Sequence, residues 1–151
     1  MIVIESQVGG AIKLNVDSLI GADLSNLILH RAVFSNRNLS KASFFCADLR
    51  GALFDGAIIN ECDFRQAKMM NAFMSDSDMR GSDLGSSSLV GAVLDRANLR
   101  GANLIGADVA YASFKGADVS GAVLLCKRIS EADMNGLIFD SETIFPDGFF
   151  P

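Results

Sequence analysis

The chain is short of cysteine and of long apolar runs, and each shortage excludes a class of protein. Three cysteines occur among 151 residues, and an odd number argues against a disulfide-stapled extracellular domain. Half of the residues are hydrophobic, yet no apolar run approaches the ~18 residues that a membrane-spanning helix needs. Residues 1–6 carry no basic segment ahead of an apolar core. We therefore expect no signal peptide, no membrane association and a cytoplasmic location.

Positive charge is also in the minority. Lys and Arg total 13 against 18 for Asp and Glu, so the formal net charge is −5. Because an acidic surface repels phosphate groups, we expect no direct binding of nucleic acid.

The dominant feature of the sequence is an apolar residue at every fifth position. Every fifth residue from Leu24 to Ile144 is Leu, Ile, Val, Met or Phe, and we call this the central residue of each pentad. Two residues earlier lies a small residue, which is Ala in 16 of the 25 pentads. A period of five fits neither the 3.6 residues of a helical turn nor the two of a flat strand. It predicts a coiled chain in which each pentad turns one corner.

Side chains alternate along extended backbone, so the central residue and the small residue point the same way. We expect both to face a narrow core. The residue between them, here called the outward residue, and the two corner residues that follow the central one are expected to face water. Gly is frequent at the second corner position, where a tight turn requires a positive φ.

Several units resemble the Ala-(Asp/Asn)-Leu-x-x repeat of the pentapeptide-repeat family; examples are 47–51, 97–101 and 102–106. The resemblance implies an all-β fold, a right-handed quadrilateral parallel β-helix of about six coils with four pentads per coil. The ending 143–151 is similar to that of cyanobacterial members of the family.

The number of sides is only partly determined by the residues themselves. Four apolar outward residues step by 20, as a four-sided coil requires: Val33, Leu53, Phe73 and Val93. Three acidic outward residues step by 15, as a three-sided coil would require: Asp48, Asp63 and Asp78. The choice of four sides therefore depends on the family resemblance.

We expect a single domain over residues 1–151, with a cap at each end. Residues 1–11 are interpreted as the N-terminal cap and 12–146 as repeats, in which two weak units at 12–16 and 17–21 precede 25 unbroken pentads. Residues 143–151 are interpreted as the C-terminal cap, where two prolines and three Phe close the core. Capping is needed because the open ends of a rod expose unpaired backbone groups.

The side chains that could take part in catalysis or metal binding are not expected to lie close together. Outward Asp residues scatter over all four predicted faces without the spacing of a metal site, so turn hydrogen bonds explain them better. His30 has no nucleophile or metal ligand expected near it. Cys62 is expected in the core, whereas Cys46 and Cys126 are expected at the surface, too far apart for a disulfide. We expect no enzyme, no cofactor and no catalytic or metal-binding residue.

The candidate interaction site is the outward column of Val33, Leu53, Phe73 and Val93. Contiguous exposed apolar surface often marks a partner site, although sheet surfaces also tolerate apolar residues. We expect a structural or protein–protein interaction module, a rigid rod that presents flat faces to an unknown protein partner. A homodimer through a face or an end of the solenoid is also compatible with the sequence.

The alternative is a DNA mimic. A subgroup of the family that the chain resembles, the gyrase-protecting members, is similar to B-form DNA in size and negative charge, and those proteins bind the topoisomerase in its place. A net charge of −5 is small for that role. Arginines also interrupt the acidic faces, at Arg50, Arg65, Arg80, Arg96 and Arg100.

Overall fold

The computed structural model describes residues 1–8 and 10–151. From residue 22 the chain winds as a right-handed quadrilateral parallel β-helix. Each pentad forms one side of a square, and parallel bridges join each side to the side one coil further on. The partners are four pentads apart in sequence, as in Val33 with Leu53 and Asp48 with Lys68. Four sides are therefore confirmed. The Asp residues that step by 15 lie on three different faces.

The corners depend on one backbone conformation repeated along the chain. Every fifth residue from Gly21 to Gly121 has a φ between +50° and +71°. Most of these turns are closed by a hydrogen bond to the central carbonyl, as where the Ala52 N–H donates to Leu49 O at 3.0 Å. Glycine adopts this conformation at little cost, whereas Tyr111 at the same position has a φ of 58° and bears the strain of a bulky side chain.

The core is the stacked interior of the coils. The central residues from Leu24 to Leu124 are all buried, and so are the small residues from Ala32 to Ala122 except Arg37. Where Ser replaces Ala, the hydroxyl is satisfied locally: Ser82 Oγ donates to Ile59 O at 2.7 Å. Buried polar groups need such partners because water cannot reach them. The predicted inward positions are thus confirmed over five coils.

A hairpin covers the N-terminal end of the core. Strand β1 (Ile2–Glu5) pairs antiparallel with strand β2 (Ala11–Leu14), and the Val33 N–H donates to Glu5 O at 2.8 Å. The prediction that a repeat unit occupies 12–16 is wrong for most of that segment, which lies in β2. The hairpin is preferred because it places Ile4 and Leu14, both buried, over the open first coil.

The last coil departs from the predicted run of unbroken pentads. Lys127 bridges to Asp108, one position short of the usual spacing, and Ile144 bridges to Val123, one position beyond it. A 3-10 helix (Ile129–Glu131) lies between the two changes of register. Ile144 is consequently an outward residue, 49% exposed, and Phe145 packs against the core in its place.

The C-terminal cap is less closed than the sequence predicts. Phe139, expected to be inward, is half exposed, because no further coil covers it. Its ring packs edge-on against Phe145, which in turn contacts Phe149. Phe150 does not close the core at all and is 90% exposed. None of the helices in the described residues has the length and apolar character needed to cross a bilayer.

Candidate interaction face

The four apolar outward residues form one continuous ladder, here called the apolar stripe (Val33, Leu53, Phe73 and Val93). In each of the last three, the backbone N–H donates at 2.9 Å to a carbonyl of the preceding coil. The adjacent central residues, Phe34, Phe54, Met74 and Leu94, are fully buried. Because side chains alternate, the stripe is turned to solvent. Phe73 is 44% exposed and the other three are half-buried by their neighbours. The predicted residues are thus brought together.

The same position on the other faces carries mostly polar or charged residues, with isolated apolar exceptions such as Ile28 and Ile58. An outward Asp is followed two residues later by an Arg that turns back to it, in the pairs Asp48–Arg50, Asp63–Arg65 and Asp78–Arg80. The closest N···O distances are 2.5, 2.7 and 2.7 Å. Hydrogen bonding from each guanidinium lowers the pKa of its carboxyl below the usual value. These carboxylates therefore do not add up to an uncompensated acidic face.

Further ion pairs join neighbouring coils. They are Lys41 with Glu61 at 3.6 Å, Arg96 with Asp76 at 2.7 Å, Arg100 with Asp118 at 3.3 Å, Lys115 with Asp133 at 3.2 Å, and Arg128 with Asp108. Each is open to solvent, so each contributes little to stability. Their larger effect is on the surface potential, because cations are interspersed with the Asp residues along the rod.

The two edges of the apolar stripe differ in charge. The corner before it carries His30, Arg31 and Arg50. The corner after it carries Asp55, Asp76 and Asp95, and also Arg96 and Lys115, which form ion pairs with Asp76 and Asp133. We call these the basic edge and the acidic edge. In the described part of the chain, Arg31, Asp55 and Asp95 take part in no ion pair.

The Arg31 side chain runs along the rod axis towards the second coil. Its Cγ lies 3.1 Å, and its Nε 3.7 Å, from the place where a Cβ on Gly51 would be. Gly51 occupies the equivalent corner one coil later. Because it has no side chain, the Arg31 side chain can pass over it. The guanidinium is thereby carried from the first coil to the height of the second.

A shallow groove of about 310 Å³ follows the basic edge, lined by His30, Arg31, Arg50, Gly51, Met70 and Asn71. It adjoins the apolar stripe, since Gly51 and Asn71 each stand two residues before a stripe residue. The sequence did not indicate this edge. Arg31 and Arg50 are well separated along the chain, and only the number of sides makes them neighbours.

The remaining candidate groups stay apart. His30 Nε2 lies 3.7 Å from Asp48 Oδ1, beside Arg50. In the described residues, no group of three or more His, Cys, Asp or Glu side chains could hold a metal ion.

The cysteines are free thiols. Cys62 is buried as expected, and burial raises the pKa of its thiol to about 12. Cys126 was expected at the surface, but it packs against the core, and burial raises its pKa to about 12 as well. The reason is the shortened register at this point, which replaces the usual corner and turns the Cys126 Sγ towards Leu104 O at 3.5 Å.

Solved structures similar to this chain include pentapeptide repeat proteins from a plant and from cyanobacteria. A protein of the Arabidopsis thaliana thylakoid lumen is 29% identical over 70% of this chain and 63% of its own length, with a TM-score of 0.39. A protein of Nostoc PCC 7120 is 25% identical over 69% of this chain and 85% of its own, with a TM-score of 0.48. HetL of Nostoc, involved in heterocyst differentiation regulation, is 26% identical over 87% and 75%, with a TM-score of 0.33.

The chain thus spans less than two thirds of the length of the thylakoid lumen protein. No curated protein sequence matches it significantly. A family model described as pentapeptide repeats, in eight copies, matches residues 18–56, 47–85 and 86–124. These matches cover well over half of the sequence and coincide with the coils, so the chain belongs to the pentapeptide-repeat family.

Proposed function

We propose that this protein is a non-enzymatic interaction module, in which a rigid β-helix presents the apolar stripe to a protein partner. The observation that carries the proposal is the contrast between faces. Outward positions on the other faces hold Asp–Arg pairs or isolated apolar residues such as Ile28 and Ile58, whereas one face aligns four apolar residues on consecutive coils, with Phe73 at 44% exposure. Burying apolar surface contributes about 25 cal/mol per Å² to the free energy of association. A partner that covers the stripe therefore forms a more stable complex.

The backbone supports the same role. The sides of the inner coils are hydrogen-bonded to the coils before and after them, as where the Asp48 N–H donates to Leu27 O and the Leu49 N–H donates to Lys68 O. A face held in this way loses little conformational freedom on binding, and preorganisation of this kind favours affinity. An enzyme, by contrast, needs a concave pocket with convergent polar groups, and the interior of these coils is filled by side chains.

The DNA-mimic alternative has weaker support. It requires a continuous negative face, and arginines neutralise outward carboxylates on the charged faces. We expect the protein neither to inhibit gyrase supercoiling nor to protect gyrase from quinolones; protection in that assay would favour the alternative. A cytoplasmic location and a single domain over 1–151 stay predictions.

The test is a pair of matched substitutions. Phe73→Asp places a charge in the stripe, and Ile58→Asp places the same charge at the outward position of the next face, where Ile58 is 40% exposed. Tagged wild type and both variants are used to capture proteins from the native host, and the bound proteins are quantified by mass spectrometry. A partner retained by wild type and Ile58→Asp but lost with Phe73→Asp supports the proposal. Identical profiles for all three, with circular dichroism showing intact folds, contradict it.

A further inference from the structure

The charges at the edges of the apolar stripe indicate which protein binds it. This inference depends on the proposed interaction role. We propose that the stripe binds a second copy of this chain. The two rods lie face to face and parallel, with their coils at equal height, and are related by a two-fold axis that runs along the rods.

The arrangement of charge selects this symmetry. A two-fold axis parallel to the rods exchanges left and right on the face while each coil keeps its height. In the first two coils, Arg31 and Arg50 of one copy then lie over Asp55 of the other, on both sides of the interface. Antiparallel rods would instead place each edge over its own counterpart. The attraction of Arg31 and Arg50 for Asp55 is available only in the parallel arrangement and therefore favours it.

The charged groups of Arg31 and Asp55 also lie at the same position along the rod axis. Arg31 begins in the first coil, but its side chain passes over Gly51, so its guanidinium lies level with the second coil. Asp55 stands in that second coil on the opposite edge. Neither forms an ion pair in the described part of its own chain. In the parallel dimer Arg31 meets Asp55 of the second copy, and the symmetry makes this contact twice.

The apolar residues fit the same axis. Each stripe residue faces its own counterpart, which places the two Phe73 rings against each other at the centre of the interface, where aromatic pairs are favourable. Stacked sheets pack about 10 Å apart, with side chains between them. Near the C-terminal end Asp133 meets Asp133 of the second copy, but Lys115 compensates each carboxylate at 3.2 Å.

Analytical ultracentrifugation of the full chain tests the proposal over a wide concentration range. We expect wild type and Ile58→Asp to form a dimer and Phe73→Asp to weaken it at least tenfold. A wild type that stays monomeric at all concentrations overturns this inference. The interaction role itself would then be judged separately, by the capture experiment with Phe73→Asp.

A charge exchange tests the geometry. Arg31→Glu and Asp55→Arg are each expected to weaken the dimer several-fold, and the double variant is expected to restore it. Glu is tolerated at this corner, since Glu61 occupies the equivalent position with a φ of 54°. Thermal melts confirm that the variants fold. A double variant no better than the single ones overturns the parallel arrangement.

Chemical cross-linking gives an independent measurement. In a Cys46→Ser background, Phe73→Cys is expected to cross-link to itself with a short bismaleimide, because it lies on the axis. Ile58→Cys in the same background is the control and is expected to stay uncoupled. Equal coupling of the two overturns the assignment of the stripe as the interface.

Discussion

The Phe54 ring stacks on the Phe34 ring of the preceding coil, with ring centroids 5.0 Å apart and planes 16° apart. Phe44 and Phe64 form a second stack at 4.9 Å. The two stacks meet edge to face, with Phe54 5.7 Å from Phe44. Four aromatic rings thus fill the middle of the first three coils, and each is fully buried. The N-terminal half of the rod is held together by this cluster.

Replacing Phe54 with Ala should destabilise the fold strongly. The substitution removes a buried ring with aromatic neighbours on three sides, and such changes cost about 3–5 kcal/mol. Phe139→Ala is the matched control, because that ring is half exposed at the last coil, and we expect it to cost about 1 kcal/mol or less. Urea unfolding followed by circular dichroism measures both. Similar losses in the two variants would contradict the placement of these rings.

Tyr111 offers a test of the corner conformation. Its positive φ strains any residue with a Cβ, so Tyr111→Gly should be more stable than Tyr111→Ala. We expect a difference of about 0.5–1 kcal/mol, since the gain at the corner is partly offset by the extra freedom of Gly in the unfolded chain. Thermal unfolding of the two variants measures it. An Ala variant that equals or exceeds the Gly variant would be evidence against strain at this corner.

Stability should fall in acid. The Arg65 guanidinium lowers the pKa of the Asp63 carboxyl in the folded state, and Arg50 and Arg80 do the same for Asp48 and Asp78. A carboxyl with a lowered pKa stabilises the fold fully above its unfolded pKa of about 3.9. That stabilisation is lost as the pH falls through the folded pKa. We expect melting temperatures that change little from pH 7 to 5 and fall below about pH 4.

Asp63→Asn separates this ion-pair effect from general acid unfolding. The amide still accepts a hydrogen bond from the Arg65 N–H but no longer titrates. The variant should melt below wild type at pH 7, and the two should converge near pH 2. Parallel pH profiles for the two proteins would show that the Asp63–Arg65 pair does not contribute.

The three thiols should differ in reactivity. Thiolates react and thiols do not, and burial raises the pKa of Cys62 and Cys126 to about 12. Cys46 is half-buried at a corner, where its Sγ donates to Gln66 Oε1 at 3.5 Å. At pH 8 we expect one fast thiol in a titration with Ellman's reagent and three after unfolding. Cys46→Ser should abolish the fast phase; a fast phase that survives would assign it to Cys126.

Much of this fold could be predicted because the requirements of the repeat are met within each five-residue unit. The central residues, the small residues and the corner glycines each express one requirement of a five-residue unit, and that requirement recurs along the chain. The residues of the apolar stripe were likewise identified from their spacing. Their exposed fractions depend on neighbouring coils and were not predictable.

The sequence by itself determined the period of five, the inward column of apolar side chains and the positions of the turns, because these follow from alternation along extended backbone and from the allowed values of φ. Only the tertiary structure decided that the N-terminal hairpin extends to Leu14, that Phe145 replaces Ile144 in the core, and that the Arg31 side chain reaches over Gly51 into the coil that carries Asp55. All three depend on hydrogen bonds and packing between segments that are distant in sequence, and the local pattern of a pentad carries no information about them.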